Sequence, residues 1–250
     1  MKFLIQKIDG SVRHDFTFTL LESIRYNNWY AGNIIMKYVF FNTHENQERF
    51  IFKPIHKNYI PIGSVQFVSA FLFQFYGKIP KPINVPEELY GYAGRSIFNG
   101  TQFDLEKIKG SFYIKNNDKI KGFSDAIVLD NNHIYKIPAG NYQISELIAI
   151  DSEWRVFVFQ NEMVGLQHYS GDFTRFPDIN KINGMIKNYK NAPVAYTLDV
   201  GINKTTFVIE CHDFFSCGLY GFSNHKILPY MYQRWFSYYT KGIEYKKIHK

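Results

Sequence analysis

Cysteine is scarce in this 250-residue chain, which has only Cys211 and Cys217. Two thiols on one short segment are too few for a disulfide framework or for the four ligands of a structural zinc site. Long apolar runs are also absent, since none approaches the roughly 20 residues of a membrane helix. The first residues turn polar too soon for a signal peptide. We therefore expect a cytoplasmic protein without a membrane partner.

An excess of acidic residues is missing as well. The chain has 29 lysine and arginine residues against 22 aspartate and glutamate residues, which gives a net charge of +7. This charge favours anionic partners such as nucleotides. The cations are scattered apart from the C-terminal tail, so a nucleic-acid partner is permitted but not required. A hydrophobic fraction of 46% with 20% charged residues is typical of a globular protein.

Apolar periodicity predicts a chain that mixes strands and helices, without internal repeats. Ser64 is the predicted cap of the second helix. The predicted strands cover 2–8, 36–41, 49–53, 111–115, 120–129, 133–137, 143–148, 154–159 and 163–169, and the predicted helices cover 16–30, 65–76, 178–190 and 228–239.

A cluster of prolines interrupts this pattern between residues 80 and 86. Proline restricts its own backbone and that of the preceding residue, so such a cluster favours a boundary. We expect a smaller N-terminal α/β domain over 1–82 and a larger domain over 83–250.

Two predicted strands near the C-terminus each end in an acid, at Asp199 and Glu210, with a hairpin turn over 201–204 between them. Strand side chains alternate between faces, so antiparallel pairing brings Asp199, Glu210 and His212 toward one face. Converging carboxylates repel one another unless a cation lies between them, and hard oxygen ligands favour Mg²⁺. For an acid pair taken alone, two solvated acids at strand ends are the more common outcome.

Several short motifs follow one another in an order that is more specific than any one of them. In chain order they are Lys115 on a strand, Lys121 after a tight turn, Ser145-Glu-Leu-Ile148, Glu153-Trp-Arg-Val-Phe-Val, Tyr196-Thr-Leu-Asp-Val-Gly, Glu210-Cys-His-Asp213, Gly218-Leu-Tyr-Gly221 and Met231-Tyr-Gln-Arg-Trp235. This order resembles the ATP-grasp superfamily, and more narrowly its phage and bacterial clade named for one arginine and two lysines. The resemblance runs from about Pro61 to Tyr239.

The resemblance implies an α+β ATP-grasp fold, in which two α+β lobes hold ATP between them, with a small N-terminal α/β lobe. It also implies an ATP- and Mg²⁺-dependent ligase that phosphorylates a carboxylate and joins the acylphosphate to an amine. The implied substrate is an amino acid, a peptide or a protein side chain.

The resemblance also assigns roles to residues that would contact the nucleotide. Lysine is a compact charge suited to phosphate oxygens. An arginine near the transferred group neutralises charge that develops during transfer. The implied roles are phosphate binding for Lys115 and Lys121, adenine recognition by the backbone of Glu146, Leu147 and Ile148, ribose binding for Glu153, and contact with the phosphates or the acylphosphate for Arg155, so that Arg155 and Lys121 are the candidate catalytic residues.

By the same resemblance, Asp199, Glu210 and His212 hold one or two Mg²⁺ ions. The position of His212 is usually asparagine in such proteins, so this chain departs from the pattern. An imidazole nitrogen suits Mn²⁺ or Zn²⁺ better than Mg²⁺. The alternatives are a metal preference shifted toward Mn²⁺, a ligand role for Asp213 instead, or a weakly held second ion.

Each lysine and acid also has a structural explanation. Lys115 and Lys121 have the ordinary alternative of exposed strand lysines, and Lys119 and Lys136 compete for the second phosphate role. The alternative for Glu153 and Arg155 is a surface ion pair with each other, and for Glu146 it is an ordinary edge acid.

Residues outside these motifs have two readings. His14 and Asp15 are either a substrate-binding or catalytic pair, or Asp15 is the cap of the helix that begins at Phe16. Arg95 either binds a substrate carboxylate or is a solvated loop arginine. Cys211 is expected to point into the core and not to act as a nucleophile.

Two other classes of function remain open alongside ligation. One is phosphotransfer, including modification of nucleic acids, which the basic charge and the aromatic content would suit. The other is an interaction protein that kept the fold and lost catalysis, because fold alone does not set function.

Overall fold

A computed structural model of the protein describes residues 1–108, 110–120, 126–128 and 137–241. Among these residues, the chain divides into two compact units. Unit 1 contains Met1–Ile79, Pro193–Tyr196 and the described residues from Asp213 onward, and unit 2 contains Pro80–Ala192 and Thr197–His212. The division into domains 1–82 and 83–250 remains a proposal, and the segment after Asp213 groups with the N-terminal residues.

The regular elements of the described chain include both strands and helices. In order they are β1 (Lys2–Ile8), α1 (Asp15–Tyr30), β2 (Lys37–Thr43), β3 (Ile60–Ile62), α2 (Val65–Tyr76), β4 (Ile97–Thr101), α3 (Gln102–Leu105), β5 (Phe112–Asn116), β6 (Ala126–Val128), β7 (Asn141–Glu146), β8 (Ser152–Phe159), β9 (Glu162–Gly171), α4 (Ile179–Asn188), β10 (Ala195–Ile202), β11 (Thr206–Asp213) and α5 (Leu228–Lys241), with 3₁₀ turns at Pro54–Asn58 and Glu87–Tyr92. None of the helices in the described ranges combines the length and apolarity needed to cross a membrane.

Unit 1 is built on a three-stranded parallel sheet in the order β2-β1-β3. The central strand β1 has four consecutive buried residues, Phe3 to Gln6, as expected for a parallel strand with both faces covered. Helix α2 begins as predicted, since Ser64 Oγ accepts the Phe67 amide at 3.2 Å. It ends at Gly77, whose positive φ of 64° suits glycine.

The strand predicted over 49–53 is wrong. Phe52 packs its ring against Phe41, Phe67 and Phe71. Its backbone groups bond to the amide side chain of Gln74, at 3.4 Å from its N–H and 2.9 Å from its carbonyl. A side chain therefore takes the place of a neighbouring strand, which an apolar pattern cannot reveal.

The prediction that Asp15 caps α1 is also wrong. Asp15 is the first residue of the helix, and the cap position is held by His14 without a side-chain cap bond. The Asp15 carboxylate instead accepts the Leu219 amide at 2.8 Å. Asp15 therefore ties α1 to the chain that precedes α5, within unit 1.

Unit 2 is dominated by two four-stranded sheets. One has the order β4-β7-β5-β6 and is antiparallel, and the other has the order β11-β10-β8-β9. The first two residues of β10 and the last of β11 group with unit 1. All eight residues of β10 are buried, because the strand lies inside its sheet between β11 and β8. Any ionisable residue on β10 is consequently removed from water.

Most predicted elements of unit 2 are confirmed. The structure has the strands expected near 111–115, 143–148, 154–159 and 163–169, and the helix expected over 178–190. Asp178 caps that helix by accepting two backbone amides. Of the strand predicted over 120–129, the structure describes only Ala126–Val128 as a strand, and most of the strand predicted over 133–137 lies outside the described residues.

We predict that Gly171→Ala destabilises unit 2 by about 2 kcal/mol or more, as strained backbone and a steric clash combine. Gly171 has a φ of +79°, and an added Cβ would lie 2.2 Å from the Asp151 carbonyl oxygen. The measurement is the midpoint of urea unfolding. Gly91→Ala is the matched control, because a Cβ there has no neighbour within 4 Å and φ is ordinary. Equal midpoints for the two variants would contradict the prediction.

Candidate functional site

Strands β10 and β11 bring three potential metal ligands together. Only three residues, 203–205, separate the two neighbouring strands, so they run antiparallel as predicted. Asp199, Glu210 and His212 each offer a ligand atom, and these atoms lie within 4.8 Å of one another. The predicted convergence is therefore confirmed. Asp199 is only 1% exposed, so the alternative of two solvated acids is wrong for this pair.

Asp199 is held by the guanidinium of Arg155 on the adjacent strand β8. Arg155 donates from Nε to Oδ1 at 2.8 Å and from Nη2 to Oδ2 at 2.7 Å. Both side chains are buried. Parallel bonds of this kind are the strong, geometrically fixed form of an arginine–carboxylate pair. The alternative pairing of Arg155 with Glu153 at the surface is wrong, because Arg155 faces Asp199.

Glu210 is engaged on both carboxylate oxygens. Lys115, from β5 of the other sheet, forms an ion pair with Oε2, and His212 Nε2 lies 2.7 Å from Oε1. Lys115 is only 6% exposed, so its alternative reading as an exposed strand lysine is wrong. The two sheets of unit 2 thus meet through a charged contact that the predicted phosphate lysine makes.

The cluster balances two carboxylates against two cations. Burying a charge in a protein is costly unless an opposite charge compensates it, and Arg155 and Lys115 do so here. Ligand atoms on opposite sides of one ion lie about 4.2 Å apart for bonds of about 2.1 Å. The observed spread of 4.8 Å is therefore close to what one divalent ion needs, and the oxygen and nitrogen donors fit such an ion.

Tyr169 on β9 belongs to the same cluster, although no sequence pattern indicates this. Its hydroxyl donates to Glu153 Oε2 at 2.8 Å and lies 3.5 Å from Asp199 Oδ2. Its ring faces the Arg155 guanidinium at 5.7 Å. Burial, reinforced by the charges of Asp199 and Glu153, raises the pKa of Tyr169 well above its usual range. Tyr169 is therefore a hydrogen-bond donor and not a base.

The predicted adenine-binding segment leaves the end of β7 toward β8. The Glu146 carboxylate accepts the Ser96 amide at 2.8 Å, and this bond lowers the pKa of Glu146. Leu147 is 40% exposed, and Ile148 is half-buried. To the described residues, neither Leu147 nor Ile148 makes a backbone hydrogen bond. The backbone N–H and C=O groups of Leu147 and Ile148 can therefore form hydrogen bonds with a ligand.

Asn84 joins the two sheets beside the charged cluster. This buried residue has a φ of +55°, which asparagine tolerates better than most residues. Its side-chain amide donates to the Asn116 carbonyl at 3.1 Å and to Asn117 Oδ1 at 2.7 Å, and its own carbonyl accepts the Cys211 amide at 2.7 Å. The end of β5 is thereby bonded, through one residue, to β11.

Arg95 also bonds to the backbone of β11. Its guanidinium donates to the carbonyls of Val208 at 2.9 Å and Ile209 at 3.2 Å, and also to Ala93. Burial lowers the pKa of Arg95. The reading of Arg95 as a solvated loop residue is wrong, since its donors hold the strand that leads into Glu210.

The remaining predicted residues are accounted for as follows. Lys121 and its competitor Lys136 lie outside the described residues, so the second phosphate lysine stays a prediction. Cys211 points into the core as expected, and burial raises the pKa of its thiol well above the usual range. An unreactive thiol agrees with the absence of a nucleophilic role.

The class to which this fold belongs follows from comparison with known families. The sequence model described as ATP-grasp domain, R₂K clade family 2, matches residues 92–229. Because the match covers more than half of the chain, this protein belongs to that ATP-grasp family, and the predicted resemblance is confirmed. No curated protein sequence matches the chain.

Solved structures share the fold at low sequence identity. The RimK domain ATP-grasp protein of Sphaerobacter thermophilus is similar with a TM-score of 0.57 and 8% identity, over 94% of this chain and 100% of that chain. The D-alanine–D-alanine ligase of Bacillus anthracis complexed with ATP has a TM-score of 0.53 and 14% identity, over 98% and 100%. D-cycloserine synthetase DcsG has a TM-score of 0.57 and 8% identity, over 94% and 100%. These similarities confirm the predicted α+β ATP-grasp fold.

We predict that Lys115→Met changes two affinities in opposite directions. Without nucleotide, Mn²⁺ should bind roughly tenfold more tightly, because a buried cation next to a ligand costs more than about 1.4 kcal/mol. ATP should bind more weakly, because Lys115 is predicted to contact a phosphate. Mn²⁺ binding is measured by electron paramagnetic resonance, and ATP binding by calorimetry.

Lys187→Met is the matched control for this prediction, because Lys187 is an exposed lysine of unit 2 on α4 and has no proposed role in the site. It should leave both affinities unchanged. Weaker Mn²⁺ binding by Lys115→Met would show that the lysine does not compete with the metal for Glu210.

Proposed function

We propose that this protein is an ATP- and divalent-metal-dependent carboxylate–amine ligase that forms an amide through an acylphosphate. The observation that carries the proposal is a cluster of two acids, one imidazole and two cations in unit 2, in which one acid and both cations are buried. Clusters of charged side chains that compensate one another inside a protein are concentrated at functional sites. A purely structural role needs no third ligand-type side chain beside the two ion pairs. The set consists of Asp199, Glu210, His212, Arg155 and Lys115.

Asp199, Glu210 and His212 would hold the metal, Mg²⁺ or Mn²⁺. The bound ion would supply neutralisation of charge on the phosphate oxygens. Lys115 then moves its charge from Glu210 to a phosphate oxygen, which suits a compact ammonium group. Arg155 presents paired donors that match a phosphate as well as a carboxylate. In this proposal, Lys115 and Arg155 would each exchange a carboxylate of the protein for a phosphate of ATP.

The proposed reaction has two steps, phosphorylation of the carboxylate and then formation of the amide. An oxygen of the acceptor carboxylate attacks the γ-phosphorus of ATP, and ADP leaves with the bonding electron pair. The amine nitrogen then attacks the acyl carbon, phosphate leaves, and the nitrogen loses a proton. Arg155 stabilises the charge that develops in both steps, and exclusion of water protects the acylphosphate from hydrolysis.

The remaining nucleotide contacts are proposed from the sequence resemblance together with the geometry. The backbone of Glu146 to Ile148 would read the adenine edge, and the available groups of Leu147 and Ile148 support this. Glu153 would bind the ribose hydroxyls. Lys121 would supply the second phosphate contact and the second catalytic cation.

An amino acid, a peptide or a protein side chain is the proposed substrate class. The similar structures support it, since one is a D-alanine–D-alanine ligase and another is D-cycloserine synthetase. The net charge of +7 suits anionic substrates and ATP. The proposed location is the cytoplasm, where ATP is available.

The ligase proposal predicts that the protein, ATP, Mg²⁺ and a pool of amino acids and peptides yield equal amounts of ADP and a new amide. Asp199→Asn and Glu210→Gln should each lower turnover at least a hundredfold, because removing one electrostatic contact to the transition state commonly costs about 10²–10³ in rate. Mass spectrometry and ADP release are the measurements. Glu162→Gln is the control, since Glu162 is an exposed acid at the β8–β9 turn.

Each product pattern in that assay has its own meaning. A phosphorylated product without an amide would replace ligation by phosphotransfer, and ADP release stimulated by RNA or DNA would indicate a nucleic-acid substrate. Unchanged nucleotide turnover in both acid variants would refute the metal assignment. No ATP binding by the unaltered protein would favour an inactive interaction protein.

We also predict that His212→Asn shifts metal preference toward Mg²⁺. An imidazole nitrogen favours Mn²⁺ over Mg²⁺, whereas an amide oxygen does not. The ratio of Mn²⁺ to Mg²⁺ affinity should fall roughly tenfold, the effect of about 1.4 kcal/mol. Competition calorimetry measures this ratio without turnover. His44→Asn is the control, because His44 lies in unit 1 and its side chain is 91% exposed. An unchanged ratio would exclude His212 as a ligand.

A further inference from the structure

Tyr169 lies between two residues with different proposed roles. Its hydroxyl is 2.8 Å from Glu153 Oε2 and 3.5 Å from Asp199 Oδ2. A phenol carries one proton, and the shorter contact shows that this proton is donated to Glu153. Glu153 Oε1 accepts no hydrogen bond from the residues that the structure describes, so it remains available to a ligand.

A β-bulge places Tyr169 on this face. In the pairing of β8 with β9, Glu153 lies opposite Ser170, and the next residue, Trp154, lies opposite His168. Tyr169 is therefore the extra residue of the bulge. In regular pairing Tyr169 would lie opposite Trp154 and share its face, and the contact between the Trp154 and His168 rings marks that face. The extra residue redirects the phenol toward Glu153, Arg155 and Asp199.

The Tyr169 hydroxyl lies between two carboxylates and can fix the orientation of one of them. Glu153 and Asp199 are both acids, and both contact the Tyr169 hydroxyl region. Without a donor, the Glu153 side chain is free to rotate away from Asp199, because like charges repel. With the donor, one carboxylate oxygen is fixed and the other is oriented. A bulge beside a functional site commonly re-aims a side chain in this way.

We propose that Tyr169 is a positioning residue that orients Glu153 for recognition of the ribose hydroxyls of ATP. This inference rests on the nucleotide site proposed above. Tyr169 touches no reacting atom in this scheme and acts through Glu153. The phenol therefore determines selectivity for a ribonucleotide and does not take part in proton transfer.

The experiment compares binding of ATP and 2′,3′-dideoxy-ATP, each with Mg²⁺, by calorimetry on the full chain. The unaltered protein should prefer ATP. Tyr169→Phe keeps the ring beside Arg155 and removes only the hydroxyl. It should weaken ATP binding about tenfold, as expected for one hydrogen bond to a charged group. Binding of the dideoxynucleotide, which lacks the hydroxyls, should be unchanged.

Two further variants separate positioning from a structural effect. Tyr142→Phe removes another buried phenol bond in unit 2, from Tyr142 to the Pro138 carbonyl, and should leave the preference for ATP intact. Glu153→Gln should remove most of the preference on its own. In the Glu153→Gln background, Tyr169→Phe should have no further effect on the preference, because the two residues act as one unit.

The outcomes distinguish this inference from the function on which it rests. If the unaltered protein does not bind ATP, the proposed function fails and the inference fails with it. If the protein prefers ATP but Tyr169→Phe keeps that preference, the inference alone is wrong. Equal weakening of both nucleotides by Tyr169→Phe, or additive effects with Glu153→Gln, also overturns it. Thermal unfolding of each variant verifies that the fold is retained.

Discussion

The paired hydrogen bonds between Arg155 and Asp199 are the interaction on which the site depends. Asp199 stands on a strand whose eight residues are all buried, where an uncompensated carboxylate is costly. Its partner must come from an adjacent strand, and the sheet order places β8 beside β10. The topology of one sheet thus makes a buried acid tolerable and fixes its orientation before any ligand arrives.

Because the charged side chains of the cluster neutralise one another, the cluster is already ordered before a ligand binds. Groups that already hold charge in fixed directions need little reorganisation when a ligand replaces an internal partner. In the proposed site, a triphosphate would bring negative charge for Arg155 and Lys115, and a divalent ion would bring positive charge for Asp199 and Glu210. Each of these four side chains would then have a partner of opposite charge both with and without the ligands. A metal or a triphosphate entering alone would leave some buried charges without partners, so joint binding is favoured.

The sequence predicted those features that depend on strand periodicity and chain order. Asp199, Glu210 and His212 converge because side chains alternate along a strand, and a short turn forces two strands to pair. Tyr169 was missed because a bulge breaks that alternation without a mark in composition. The backbone contacts of Arg95 and Gln74 were missed because side chains that bond to distant main chain leave no periodic trace. Such partners are set by tertiary packing.

Asn84 holds the two sheets of unit 2 together at one place. The residue bonds to the end of β5 and to β11, so the two sheets cannot part beside it unless hydrogen bonds at 2.7–3.1 Å break. The chain over 147–150, between β7 and β8, has no such regular pairing. Separating the two sheets beside Asn84 would therefore break hydrogen bonds, whereas the connection over 147–150 can change its backbone conformation without breaking a strand pairing.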